Sequence, residues 1–524
     1  MERNIARLAA TVLSGLLLVA LVLGYWQLWE APALAARANN PRPYEEDQRV
    51  QRGRILDRNG VELARNGPDG TREYTYPGLV HVVGYHSPRF GSTGIEAAFD
   101  PYLRGLRSGD PIQRLRDHLL HRPTVGADIR LTIDAELTRL ALEALGASAG
   151  AAVVLDPRSG EVLALASSPY FDPNQLAEQW EALRQDARAP LVPRATEGLY
   201  TPGSVFKIVT ATAAIDLGKV DLTAAHDCTT DLIVDGFRIE QKNHPHLRRV
   251  TFAQDFAWSD NVTFAKAGLG LGTSGTIDFD DRAPRPYPWE REGIGRSVER
   301  LLDYAHRFGF GEQLPFDLPV AVSQVGSRSS FTPVELASTA FGQGELQVTP
   351  LLMALITATV ANGGAMPAPY VAIEARRPDG YVEQLHQPGR VLRRVMQPAT
   401  AAAMNRLMVQ SVEEGYARPA QIPGISVGGK TGTAEVGPGH TPHSWFVGYA
   451  PADRPRVAVA VVAENRGSGS DVATPIGRRL IEAALARHAA STSEAPPTGG
   501  VDGLAAVDGE PRVTSLYCPL PARG

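Results

Sequence analysis

Two cysteines, Cys228 and Cys518, stand in a chain of 524 residues, too few for a disulfide framework or for a zinc site built on thiolates. Cys518 falls in a tail of small and polar residues, so the two read as separate thiols, with a single bridge between them as the alternative. Neither sign of charge dominates: 52 basic side chains against 57 acidic ones leave a formal net charge of −5, and no basic stripe marks a nucleic-acid surface. No internal repeat is visible, which sets aside solenoids and propellers. A composition of 43% hydrophobic and 21% charged residues is that of a folded protein. The length exceeds one ordinary domain, so roughly two or three units are expected.

Long apolar runs are equally scarce, but one is present. No charged side chain occurs from Leu8 to Trp29, and Leu13, Leu16, Leu17, Leu18, Val19, Leu21, Val22 and Leu23 fill the middle. About 20 helical residues cross a bilayer core, so this run predicts a transmembrane anchor. Arg3 and Arg7 before it place the amino terminus in the cytoplasm and the rest of the chain outside. Tyr25, Trp26 and Trp29 suit the outer headgroup level. Ala33-Leu34-Ala35 has the small-x-small form of a cleavage site, so a removed signal peptide is the alternative.

Four segments follow from the pattern: an anchor over 1–30, a small α+β module over 31–147, a larger unit over 148–488 and a disordered tail over 489–524. The module opens with a linker and then Arg52 to Ala64, strand-turn-strand, with Asn59-Gly60 as the turn because both residues tolerate positive φ. A helix is predicted over Ala135 to Leu145. The larger unit opens with a hairpin, 150–156 and 161–166, around Pro157-Arg158-Ser159-Gly160. Helical patterns dominate from Ser204 to about Leu302 and from Pro333 to Ala361. Strands return at 444–449 and 457–464, and 477–488 is a last helix. The fold class is therefore α+β: a sheet assembled from both ends of the unit, with helices inserted between. Residues 273–296, rich in Asp and Pro, are read as an exposed insertion loop.

Three short motifs lie in order inside this unit. Ser204-Val205-Phe206-Lys207 opens a helix, and residues three apart there share a face, so the amine can reach the hydroxyl. A desolvated lysine can take the proton that an unassisted serine holds too tightly to act as a nucleophile. Backbone N–H groups at the same helix start favour developing negative charge. Ser259-Asp260-Asn261 supplies a hydroxyl to relay a proton and an amide that both donates and accepts. Lys430-Thr431-Gly432-Thr433 reads as a strand edge where glycine admits a substrate backbone, with lysine and two hydroxyls to hold a carboxylate. Singly, each is ordinary: a helix face, a turn or cap, a loop. In this order and with these flanks they form the set known from penicillin-binding proteins and class A β-lactamases.

On these motifs the chain resembles the class B penicillin-binding proteins. Arg52 to Ala64 is similar to their amino-terminal module. Phe341-Gly342-Gln343-Gly344-Glu345, Val348-Thr349-Pro350 and Ala361-Asn362-Gly363-Gly364 are similar to the helices behind their active site, and Ser444 to Tyr449 to the strand after Lys-Thr-Gly. The resemblance implies an antiparallel sheet with helices on both faces, an inserted all-helical subdomain, a transmembrane helix and a pedestal. It implies a D,D-transpeptidase in which Ser204 is acylated by a D-Ala-D-Ala stem peptide and Lys207 takes its proton. Ser259 and Lys430 pass a proton to the leaving group, and Asn261 binds the peptide amide. Thr431 and Thr433 hold the carboxylate beside Gly432, and the N–H groups of Ser204 and Thr433 form the oxyanion hole. Implied partners are stem peptides, β-lactams, membrane lipid through the anchor and a polytopic glycosyltransferase; no cofactor, metal or nucleic acid is implied. A D,D-carboxypeptidase shares these motifs. A β-lactamase would need a deacylating Glu, and Glu299, after Ser-Asp-Asn, is read instead as a helix residue.

Overall fold

A computed structural model describes residues 2–30, 50–107, 120, 124–228, 231–240, 248–280, 286–437 and 439–493. The expected linker before residue 50, most of the tail and Cys518 lie outside these. Contacts divide the chain into a body, Met1–Leu485, and a terminal segment, Ala486–Gly524, whose described residues continue a helix. The apolar amino-terminal run is a helix, Glu2–Tyr25, followed by one wider turn, Trp26–Glu30. Its most apolar stretch of 18 residues, within Arg3–Tyr25, has a mean hydropathy of 2.3, and none of that stretch is buried. A leucine face this exposed is stable only where something other than water covers it.

The small module is built on a six-stranded sheet. Ile55–Leu56, Glu62–Asn66, Arg72–Tyr74 and Asp128–Leu131 come from the module, while Ala372–Arg376 and Val382–Gln384 arrive from far along the chain. The predicted hairpin forms, but only Gly60 takes positive φ, at 87°. Asn59 is spared because Asp57 Oδ1 accepts from the N–H groups of Asn59 and Val61 at 2.7 and 2.9 Å, holding a wider loop. Beneath the sheet, buried Glu96 accepts from Arg52 and Arg72 at 2.9 and 2.6 Å, so no charge there lacks a counter-charge.

The larger unit centres on a five-stranded antiparallel sheet in the order Val162–Ser168, Gly150–Leu155, Val457–Ala463, His443–Ala450, Gly428–Ala434. Both faces are covered, which is why its central strands read as unbroken Ala/Val runs instead of alternating. Val153, Leu155, Ala458, Ala460 and Val462 face one core with the helix Pro350–Ala361. Ala152, Val154, Val459 and Val461 face a second core with Leu137, Ala141, Leu145, Leu480 and Ile481. The helix Ala135–Leu145, capped by Asp134, thus covers the larger sheet.

Between the sheet's two ends the chain is less uniformly helical than its sequence suggests. Four short strands occupy Ala225–Asp227, Asp231–Val234, Phe237–Glu240 and Arg249–Thr251. The middle pair turns through Asp235-Gly236, with φ values of 46° and 82°. Asp-Gly is the strongest short hairpin signal, and it outweighed the apolar periodicity on either side. Strands at Ala365–Pro367, Ala372–Arg376, Val382–Gln384 and Val391–Arg394 likewise follow turn signals after the helix ending at Ala361. Among its described residues, the 273–296 segment is mostly exposed but anchored: Phe279, Tyr287 and Trp289 are buried, the last two stacked at 4.3 Å, and Pro288–Glu292 is a short helix. The buried Lys266 amine holds the segment by donating to the carbonyls of Phe279 and Asp280 at 3.1 and 3.2 Å.

Candidate active site

Ser204 sits in a 3₁₀ turn, Gly203–Phe206, that runs directly into the helix Lys207–Asp216. In a 3₁₀ turn residues three apart eclipse, which puts Ser204 and Lys207 on one side. The entry to the turn is over-determined. Gly203 has φ +56°, and a Cβ there would meet Thr433 O at 2.9 Å and Ala434 Cα at 3.0 Å. Tyr200 exchanges main-chain hydrogen bonds with Val348 at 3.0 and 2.8 Å, Trp445 Nε1 donates to Thr201 O at 3.0 Å, and Tyr200 OH donates to Glu464 at 2.7 Å. Ser204 is left partly exposed, while Val205, Phe206 and Lys207 are buried.

Ser259 occupies the gap between two helices, Phe252–Ala257 and Asn261–Gly270. Its φ of +61° is unusual for a residue with a Cβ and costs on the order of 1–3 kcal/mol. The conformation turns both its carbonyl and its hydroxyl toward Lys207. Lys207 Nζ donates to Ser259 O and Asn261 Oδ1, both at 2.7 Å, and lies 3.2 Å from Ser259 Oγ. Among the described residues these are its hydrogen bonds; Ser204 Oγ is not one of them. Three oxygens suit the three donors of an ammonium and equally a neutral amine whose lone pair accepts from the Ser259 hydroxyl, the one partner here able to give or take a proton. Burial pushes the Lys207 amine well below the usual lysine range; nearby Lys430 acts in the same direction, and Asp260 and Asp255 oppose it.

The Lys430 strand, Gly428–Ala434, is an edge of the sheet, paired on one side only with His443–Ala450. It packs against the Ser204 turn: a Cβ on Gly432 would meet Pro202 O at 3.0 Å and Val205 Cγ1 at 3.1 Å. Lys430 is fully buried, with Nζ 3.2 Å from Thr431 O and 5.6 Å from the centre of the Phe256 ring. Burial lowers its pKa to about 7. Thr431 is buried, whereas Thr433 is exposed and accepts at Oγ1 from the Gly469 N–H at 3.3 Å.

The three motifs therefore converge on two buried amines, the Ser259 hydroxyl beside Lys207 and one open strand edge. Sequence reasoning noted Gly342 and Trp445 only within stretches similar to the family and gave Tyr200 and Glu464 no supporting role; the structure seats Gly342, with φ +95°, against Gly203 O. Local pattern does not announce what they support, since their contacts span long stretches of chain. Glu299 lies in the helix Gly295–Arg307, half exposed and paired with Arg328.

Residues 150–482 match the family model described as the penicillin binding protein transpeptidase domain, and residues 52–129 match the penicillin binding protein A dimerisation domain. The peptidoglycan D,D-transpeptidase PbpA of Mycobacterium tuberculosis is 32% identical over 520 residues, covering 93% of this chain and 99% of that protein. The structure of penicillin-binding protein A from M. tuberculosis as a ceftriaxone acyl-enzyme superposes with a TM-score of 0.73 at 31% identity, covering 84% of this chain and 99% of that one. Its penicillin G acyl-enzyme gives 0.72 at 32%, covering 83% and 100%. With the Ser204 turn, the Lys207 amine and the open Lys430 strand edge brought together, and with these relatives matching nearly end to end, the chain belongs to the penicillin-binding protein transpeptidase family.

Proposed function

We propose that this chain is a peptidoglycan D,D-transpeptidase, anchored by residues 1–30 in the bacterial cytoplasmic membrane with its catalytic unit outside. The observation that carries the reading is the buried Lys207 amine, held by Ser259 and Asn261 one turn from the partly exposed Ser204. Ser204 Oγ attacks the carbonyl carbon between the last two D-Ala residues of a stem peptide. Lys207 takes the hydroxyl proton as the new C–O bond forms. Collapse breaks the C–N bond, and Ser259, backed by Lys430, delivers a proton to the departing D-Ala amine. The N–H groups of Ser204 and Thr433 stabilise the oxyanion, at about 3–4 kcal/mol per donor in comparable sites. Asn261 binds the peptide amide, while Thr431 and Thr433, beside Gly432, hold the terminal carboxylate. An amine from a second stem peptide reverses the sequence and leaves the cross-link. A β-lactam enters the same path and stays as the acyl-enzyme.

The segments then divide the work: 1–30 anchors, 31–147 is a pedestal, 148–488 carries the chemistry and 489–524 is a tail. Arg3 and Arg7 orient the anchor. A polytopic glycosyltransferase supplies the glycan strands, meeting the chain at the anchor and pedestal. The test is the mass of the intact protein after penicillin. One adduct is expected, absent from Ser204→Ala; an adduct that survives this substitution overturns the assignment.

A further inference from the structure

A histidine–aspartate pair lies beneath the Ser259 turn, in a place no motif announces. Asp255, on the helix Phe252–Ala257, is fully buried, and its Oδ2 lies 2.8 Å from His226 Nε2. His226 comes from a different element, the strand Ala225–Asp227, and is itself buried, its ring against Phe279 at 5.4 Å. Asp255 brackets the turn at both ends: its main-chain oxygen accepts from the Asp260 N–H at 2.8 Å, and Oδ2 accepts from Thr263 Oγ1 at 3.0 Å. Between these two anchors Ser259 is held at positive φ.

We propose that Asp255, held by His226, is a positioning residue for the acylation step, fixing the Ser259–Asn261 turn and contributing a counter-charge to Lys207. The proposal rests on the reading of Lys207 as the base. A buried carboxylate survives only with donors to satisfy it. Thr263 Oγ1 supplies one, and His226 Nε2 lies 2.8 Å from Oδ2 as a close polar neighbour, outside hydrogen-bonding angle, that becomes a counter-charge when protonated. The charged groups around the pair are Asp260, Lys207 and Lys430 on the cleft side, and Lys266 and Asp280 beside Phe279 on the other. Asp255 and Asp260 together oppose the effect of burial and of Lys430 on Lys207. Removing the charge of Asp255 leaves burial and Lys430 less opposed, so Lys207 loses its proton at lower pH.

The experiment measures the second-order rate of acylation of the full-length protein in detergent by a fluorescent penicillin, from pH 5 to pH 9, with melting temperature recorded alongside. Asp255→Asn is expected to lower the plateau rate about tenfold as the turn loosens. It is also expected to move the acid limb to lower pH, because the Asp255 charge opposes the loss of the Lys207 proton. His226→Phe, which keeps the ring packing and removes the polar nitrogen beside Asp255, is expected to move the limb the same way. His226→Gln puts a polar N–H back beside the carboxylate and should return the limb toward the wild-type position. If Asp255→Asn fails to fold, the two His226 variants carry the test alone. A rate that falls equally at every pH, or a limb that moves as far in His226→Gln as in His226→Phe, overturns the proposal. Wild-type protein that is never acylated fails the functional reading instead, a result distinguishable from a limb that stays in place.

Discussion

Replacing Lys430 with methionine should make the protein more stable while it cripples the site. The side chain is fully buried, with one weak hydrogen bond to Thr431 O and an aromatic neighbour, Phe256. Burial brings its pKa from 10.5 down to about 7. At about 1.36 kcal/mol for each tenfold change in proton affinity, a proton on Lys430 costs the folded state roughly 4–5 kcal/mol. The sign follows from proton counting. The unfolded chain keeps the proton up to about pH 10.5, so the penalty is nearly complete at pH 7 and fades as pH rises toward 10.5. Methionine fills a similar tube without a charge, forfeiting a hydrogen bond worth roughly 1 kcal/mol. The net gain at pH 7 is about 3 kcal/mol. For a unit of roughly 330 residues, unfolding near 2.1 cal/mol/K per residue turns this into a melting temperature about 4 °C higher. Thermal unfolding of the two proteins at pH 7 and pH 10 checks it: Lys430→Met should lead at pH 7, and the gap should shrink at pH 10. A variant less stable than wild type at pH 7, or a gap indifferent to pH, refutes the reasoning. Because Lys430 also depresses Lys207, whatever acylation remains in the variant should have its acid limb at higher pH.

Gly342→Ala should slow penicillin acylation at least tenfold and lower the melting temperature, since the new Cβ would lie 1.7 Å from Gly203 O at a φ of +95°; the fluorescent-penicillin rate reads it. Glu299→Gln should leave the acyl-enzyme lifetime unchanged in a chase experiment, because Glu299 is a half-exposed partner of Arg328; a lifetime longer by orders of magnitude would support a lactamase. Lys207→Ala should reduce acylation by about 10²–10⁴, the range for losing a general base, with little change in secondary structure by circular dichroism. Deleting residues 2–30 should preserve penicillin binding but fail to support growth; a truncated form that fully supports growth would remove the anchor's role in assembly.

Some of this protein was settled by local chemistry. The apolar run from Leu8 to Trp29 dictates a helix wherever it sits, because no residue in it interrupts the period or carries charge. The helix Ala135–Leu145 has its stripe in eleven residues with its cap, Asp134, just before them, and the strands Gly150–Leu155 and Val457–Ala463 are runs whose side chains suit nothing but a doubly covered sheet. The motif serines, lysines and threonines were legible because their chemistry demands those residue types. What lay beyond the sequence depends on contacts between distant segments. Loss of water around Lys207 and Lys430 requires Phe256, Phe264 and the whole helical layer to close over them. The positive φ of Ser259 is imposed by helices on either side, one of them tied to His226 thirty-odd residues earlier. The pairing of Ala372–Arg376 with Asp128–Leu131 joins the two units through one sheet, and neither strand carries a sign of the other. Periodicity and propensity act over a few residues, whereas desolvation and backbone strain are properties of the closed fold.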